Sequence, residues 1–183
     1  MSMAVSPRLS ETSTLPVIVM GVSGSGKTSV GERLAEAVGC RFLEGDSLHP
    51  AANIEKMSAG IPLTDEDRWP WLDIIGGRIG ESVDRGEGII VSCSALKKIY
   101  RERLRTAAGG RLAFVFLEGS REVFEKRLKV RPGHFMPASL LDSQFAALEP
   151  PTGEPDVVVV DVDLPLTAII EKAVAGLRDL PTR

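Results

Sequence analysis

No stretch of this 183-residue chain approaches the run of about 18 apolar residues that a membrane-spanning helix needs. Cysteine is nearly missing. Cys40 and Cys93 are the only two, and their apolar neighbours read as small, buried, reduced residues rather than a disulfide framework or a metal site. Aromatic residues make up only 5% of the chain, which leaves few platforms for stacked bases. The net charge of −3 lacks the basic footprint of a nucleic-acid binder. The first 14 residues are rich in Ser and Thr but lack the apolar core of a signal peptide. They read as a disordered tail, with residues 15–183 as a single domain. The expectation is a cytoplasmic protein with neither membrane nor nucleic acid as partner. No internal repeat is visible. Pro150-Pro151-Thr152-Gly153-Glu154-Pro155 reads as a loop, because only one strand and one helix follow it.

What the chain does contain is Gly21-Val22-Ser23-Gly24-Ser25-Gly26-Lys27-Thr28. This is G-x-x-x-x-G-K-[ST], the phosphate-binding loop, whose backbone N–H groups cradle the oxygens of a nucleoside triphosphate. Lys27 is the residue to reach the β- and γ-phosphates, the Thr28 hydroxyl is a Mg²⁺ ligand, and Ser29 follows inside the helix start. The flanks fit. Pro16-Val17-Ile18-Val19-Met20 is a short apolar run of the kind that forms a buried parallel strand. Val30, Leu34 and Val38 then recur every four residues, and Gly39 stands where such a helix ends.

Further apolar runs occupy residues 41–44, 88–92, 112–117 and 156–161, with helical spacing around 70–85, 95–107, 121–130, 138–148 and 166–179. Strands alternating with helices predict a parallel sheet covered on both faces. Ligands bind such sheets beyond the carboxyl ends of the strands. The residues expected there are Glu44-Gly45-Asp46-Ser47-Leu48-His49-Pro50, Ser92-Cys93-Ser94-Ala95-Leu96-Lys97 and Glu118-Gly119-Ser120.

Asp46 is the candidate base. Phosphoryl transfer to an alcohol needs a carboxylate that orients the hydroxyl and accepts its proton; a turn or cap role is the structural alternative. Glu44 could instead hold the magnesium through water. His49 and Asn53 (the one asparagine in the chain) lie four apart and could hydrogen-bond a polyhydroxy substrate or brace the loop. Thr64-Asp65-Glu66-Asp67 matches a capping box, so its acids read as helix-start residues. Arg68 and Arg101 are the candidates for a bidentate hold on a carboxylate or phosphate. The run from Arg121 to Arg131 leads into Pro132-Gly133-His134-Phe135 and reads as a lid around 121–137, with Arg127 and Arg131 on one face as candidates to neutralise ATP phosphates and Arg131 as a catalytic contact on closure. Lys97 and His134 complete the set of substrate-contact candidates.

These stretches resemble the gluconate kinases of the small, phosphate-loop type, from about Val17 to Val162. The matching residues are the phosphate loop, Gly45–Pro50, Asn53–Met57, Pro62–Arg68, Cys93–Lys97, and Gly133–Met136 leading to Ser143-Gln144-Phe145. The resemblance implies ATP:D-gluconate 6-phosphotransferase activity, Mg²⁺, a homodimer, and a three-layer nucleoside-monophosphate-kinase-like fold. In that fold a five-stranded parallel sheet of order 2-3-1-4-5 is flanked by helices. Where the family often carries Asp, residue 44 here is Glu. The alternative within enzymes is a shikimate or nucleotide kinase on the same scaffold. A GTPase switch would want an N-K-x-D element. Asn53 is followed by Ile54, so that element is missing.

Overall fold

The computed structural model describes residues 14–130 and 138–181. The tail expected over residues 1–14 falls almost wholly outside them, as do Arg131 and His134 of the expected lid. Five strands form the sheet: β1 (Val17–Met20), β2 (Arg41–Glu44), β3 (Ile89–Ser92), β4 (Ala113–Glu118) and β5 (Val157–Asp161). All pair in parallel in the order β2-β3-β1-β4-β5, the order the resemblance implied. The helices are α1 (Lys27–Val38), α2 (Ala51–Ser58), α3 (Asp65–Arg85), α4 (Lys98–Ala107), α5 (Arg121–Val130), α6 (Ala138–Ala147) and α7 (Leu166–Asp179).

The period-two alternation of the strands sorts the core into two layers. Val17 and Val19 join Val115, Leu117, Leu34 and Ala173 on one face. Ile18 and Met20 join Phe114, Phe116, Ile75 and Leu104 on the other. Every residue of β1 is buried, as expected of a central strand with helices on both sides. The chain leaves β1 into the phosphate loop at the point where the neighbouring connections diverge to opposite faces. This is the crevice that an open parallel sheet offers a ligand.

Two predicted local features appear as read. Gly39 ends α1 in the left-handed region at φ 77°, its N–H bonded to the Ala35 carbonyl. Thr64 caps α3 reciprocally: its Oγ1 accepts from the Asp67 N–H at 3.2 Å, and the Thr64 N–H donates to Asp67 Oδ2 at 2.9 Å. Lys56 also pairs with Asp67 at 2.8 Å. Lys56, with help from the Thr64 N–H, holds that carboxyl down at about 2. The short helix α2 lies where sequence spacing pointed only to a segment carrying polar residues. Both cysteines are free. Burial raises Cys93 to about 12 and Cys40 to about 11, so neither is a thiolate near neutrality. Among the described residues, no helix is long and apolar enough to cross a membrane.

Candidate active site

The phosphate loop turns through Gly26, which lies at φ 89° and begins α1 with no side-chain cap. A residue with a Cβ is strained in that region. An uncapped helix N-terminus presents N–H groups to an anion. Lys27 folds over the loop, its Nζ donating to the Gly21 and Val22 carbonyls at 3.1 Å each. The Ser25 hydroxyl is buried in the loop without a hydrogen-bond partner. Ser23 N–H donates to Gln144 Oε1 at 2.7 Å, tying the loop to α6.

A cavity of about 540 Å³ opens beside the loop. Gly24, Gly26, Ser29, Lys126 and Arg127 give it a polar wall, and Leu164, Leu166 and Ile169 an apolar one. Arg127 bridges the two, its Nη2 donating to the Val162 carbonyl at 2.8 Å. A cationic wall next to an apolar one suits a phosphorylated ligand with a flat, apolar body.

At the carboxyl end of β2, Glu44 receives two hydroxyls. Thr28 Oγ1 donates to its Oε2 and Ser92 Oγ to its Oε1, each at 2.5 Å. Residue 45 must be glycine here, because a Cβ would stand 1.9 Å from the Ser92 carbonyl oxygen. That close approach brings Glu44 against the loop. The donor set around Thr28 and Glu44 consists of hard oxygens only, which suits Mg²⁺. Among the described residues no group of three or more His, Cys, Asp or Glu forms a metal cage. Magnesium, which keeps water and substrate oxygens in its shell, does not require one.

Asp46 follows on a 3₁₀ turn, Gly45–Leu48, with its side chain 66% exposed. His49 lies behind it, its ring stacked on Trp71 at 4.0 Å. The buried Cys93 thiol feels Asp46, Lys27 and Arg68 at once.

Arg68 is held by one corner. Its Nη1 donates to the Leu63 carbonyl at 2.8 Å and to the Tyr100 hydroxyl at 3.0 Å. No described residue takes the Nε and Nη2 edge, the edge that pairs with a carboxylate in bidentate fashion. Tyr100 in turn donates to Asp65, which also accepts from Lys97 at 3.0 Å. The Tyr100 and Lys97 bonds hold the Asp65 carboxyl below its usual range. Lys97 is thus committed to an ion pair, and Asp65 does more than start a helix.

Arg101 is a correction. It is 1% exposed, and all five guanidinium N–H groups are taken. Nε and Nη2 hold Glu154 at 3.1 and 2.8 Å, Nη1 holds the Ala95 and Leu96 carbonyls at 2.8 and 3.0 Å, and Nη2 also reaches the Glu149 carbonyl at 2.9 Å. Nothing is left for a substrate. Together with Arg105, which pairs with Glu154 and Asp156 at 2.7 Å each, it ties α4 to the loop before β5. Asn53 is likewise buried, at 3% exposure, and donates to the Asp67 carbonyl at 2.9 Å. It braces α2 against α3 and does not face the cleft. Arg101→Ala is expected to cost about 3 kcal/mol or more of unfolding free energy, because the Ala95, Leu96 and Glu149 carbonyls lose a buried donor and Glu154 keeps only Arg105. Denaturant titration reads that loss, and the KM for a sugar acid should stay where it was. A stable variant with a raised KM would return Arg101 to the substrate site.

Sequence reasoning did not single out Tyr100, Asp65 as its partner, Ser92 or Gln144 as members of this site. Three of them carried a signal all the same: Ser92 in the stretch at the end of its strand, Asp65 in the Pro62–Arg68 stretch and Gln144 in Ser143-Gln144-Phe145.

The AAA domain family model matches residues 17–151. Gluconokinase from Gluconobacter oxydans (strain 621H) is 47% identical over 86% of this chain and 88% of its own length. The thermosensitive gluconokinase of Escherichia coli (strain K12) is 45% identical over 85% and 83%. Among solved structures, a gluconokinase from Sinorhizobium meliloti 1021 superposes with a TM-score of 0.83 at 57% identity, covering 90% of this chain and 92% of that one.

Proposed function

The chain belongs to the gluconokinase family, and we propose that it transfers the γ-phosphoryl group of ATP to the 6-hydroxyl of D-gluconate. The observation that carries this reading is the phosphate loop with Lys27 folded over it and its Thr28 hydroxyl bonded to Glu44 at the end of β2, where Asp46 follows two residues on. Lys27 suits the transferring phosphoryl group and Asp46 the attacking hydroxyl, while the Arg68 guanidinium edge that no described residue takes suits a carboxylate.

The roles follow from the chemistry of each group. The N–H groups of Gly21–Thr28 and the Lys27 ammonium bind the phosphates. Thr28 and Glu44 are the residues to hold Mg²⁺, which would neutralise phosphate charge. Asp46 orients the 6-hydroxyl and accepts its proton. The open edge of Arg68 takes the carboxylate at the far end of the sugar acid. Arg127 lines the nucleotide side, and Arg131 and His134 belong to a lid over residues 121–137 that would close on the bound substrates. The family resemblance supports a homodimer in the cytoplasm, and the acidic net charge argues against nucleic acid as partner.

The test is coupled ADP release across a panel of sugar acids, polyols, shikimate and nucleoside monophosphates. Gluconate should turn over. Sorbitol, which lacks the carboxylate, should show kcat/KM at least about tenfold lower, because a part-buried donor edge left without its charged acceptor loses roughly 1.5 kcal/mol or more. Equal use of sorbitol would remove the carboxylate-reading role of Arg68. Phosphorylation of shikimate or a nucleotide with gluconate inert would overturn the substrate assignment.

A further inference from the structure

His49 and Asn53 were open to several roles on sequence alone, and the hydrogen bonds around them narrow those roles to one. The Asn53 side chain is fixed in orientation. Its amide group lies 2.9 Å from the Asp67 carbonyl oxygen. A carbonyl only accepts, so the atom there is the NH₂ nitrogen, not the amide oxygen. The same nitrogen lies 3.2 Å from His49 Nδ1. A nitrogen that carries only donors can meet Nδ1 only if Nδ1 is bare and accepting. In a neutral imidazole the single proton is then on Nε2.

His49 is neutral near pH 7. Burial pushes its pKa down to about 4, and Arg68 opposes its protonation further, while Asp46 favours it. The ring cannot turn to exchange its nitrogens without breaking contacts. It is stacked on Trp71 at an interplanar angle of 15°, and Trp71 is itself pinned by its Nε1 donating to the Gly45 carbonyl at 2.8 Å. The side chain is only 5% exposed, and its Nε2 tip lies 4.0 Å from Asp46 Oδ1. At that distance the two do not bond directly, but one hydroxyl oxygen can meet both.

We propose that Asn53 fixes His49 as the Nε2–H tautomer, so that His49 serves phosphoryl transfer as a hydrogen-bond donor beside Asp46, and that Asn53 is its positioning residue. The substrate hydroxyl donates to Asp46 and accepts from His49 Nε2–H. One lone pair of its oxygen is then held, and another is free to attack phosphorus. As the new O–P bond forms and the bond from phosphorus to the ADP oxygen breaks, the hydroxyl proton passes to Asp46. His49 keeps its proton throughout and is not the base.

Imidazole ¹⁵N NMR of the full chain reads the tautomer directly. The chain has two histidines, and His134→Gln identifies the His49 signals. The expected spectrum has a protonated Nε2 and a bare Nδ1 at neutral pH; a protonated Nδ1 overturns the proposal. Asn53→Asp should invert the tautomer, since a carboxylate accepts where the amide donated. An Asn53→Asp protein that folds and still shows Nε2–H would end the positioning role of Asn53.

The kinetic arm rests on the gluconate kinase reading, whereas the spectrum needs no turnover, so failure of one is distinguishable from failure of the other. His49→Gln places an N–H near the former Nε2, and His49→Asn places one near the former Nδ1. The first should keep kcat within about threefold, and the second should lose about tenfold with KM for ATP unchanged, a loss on the scale of one hydrogen bond. Equal losses in the two variants would overturn the donor role.

Discussion

Lys27→Met is expected to fold, to melt as the wild type does, and to lose gluconate-dependent ADP release by about two to three orders of magnitude. The reason is electrostatic. As the phosphoryl group transfers, charge spreads over oxygens that an ammonium in the loop is placed to meet, and one such contact in a water-poor site is worth about 3 kcal/mol or more. Folding should survive, because Nζ is bonded to two loop carbonyls, of Gly21 and Val22, and is not an anchor of the core. The loop is only part-buried, so water can replace the ammonium at those carbonyls. The measurement is steady-state turnover beside a thermal melt on one preparation. Retention of more than about a tenth of wild-type kcat, a change of only 1.4 kcal/mol, would mean that Lys27 is not the group that stabilises the transferring phosphoryl.

Asp46→Asn should lower kcat by about 10²-fold while leaving ATP binding near its wild-type strength. Asn keeps the size and polarity of the side chain but cannot accept a proton at neutral pH, so the loss isolates the base, which is usually worth 10²–10⁴-fold. Little else should change. The side chain is two-thirds exposed, and the 3₁₀ turn it sits on is held by backbone contacts, including the His49 N–H to the Asp46 carbonyl at 3.3 Å. ATP affinity by calorimetry and kcat across pH separate the two quantities. A variant that matches the wild type in kcat at every pH would leave Asp46 as a turn residue and direct attention to Glu44. Glu44 is less suited to the task, because both its carboxylate oxygens already accept hydroxyls from Thr28 and Ser92.

Much of this was legible in the order of residues because it is local. Strand Val17–Met20, the loop after it and the helix closed by Gly39 occupy one short stretch, where apolar spacing, glycine placement and the Gly-Lys-Thr end act on neighbouring residues. The Thr64–Asp67 cap is three residues wide and could be read from the letters. The strand order came from family resemblance. Periodicity identifies which segments are strands but not which strand lies beside which.

Tertiary structure decided the fate of individual polar side chains. Arg68 and Arg101 look alike in the sequence, each an arginine near a helix start. One keeps a bidentate edge that no described residue takes, and the other is enclosed by Glu154 and three carbonyls, of Ala95, Leu96 and Glu149. The difference comes from partners 48 and 53 residues away along the chain. Asn53 likewise turns inward because the Asp67 carbonyl, 14 residues on, needs a donor. Ser23 meets Gln144 across 121 residues. Hydrogen bonds select their partners by distance and direction in space, and spacing along the chain carries neither. The sequence by itself determined the phosphate loop, the alternation of strands and helices and the class of chemistry. Only the folded chain decided which charges are used up in holding it together and which remain for a substrate.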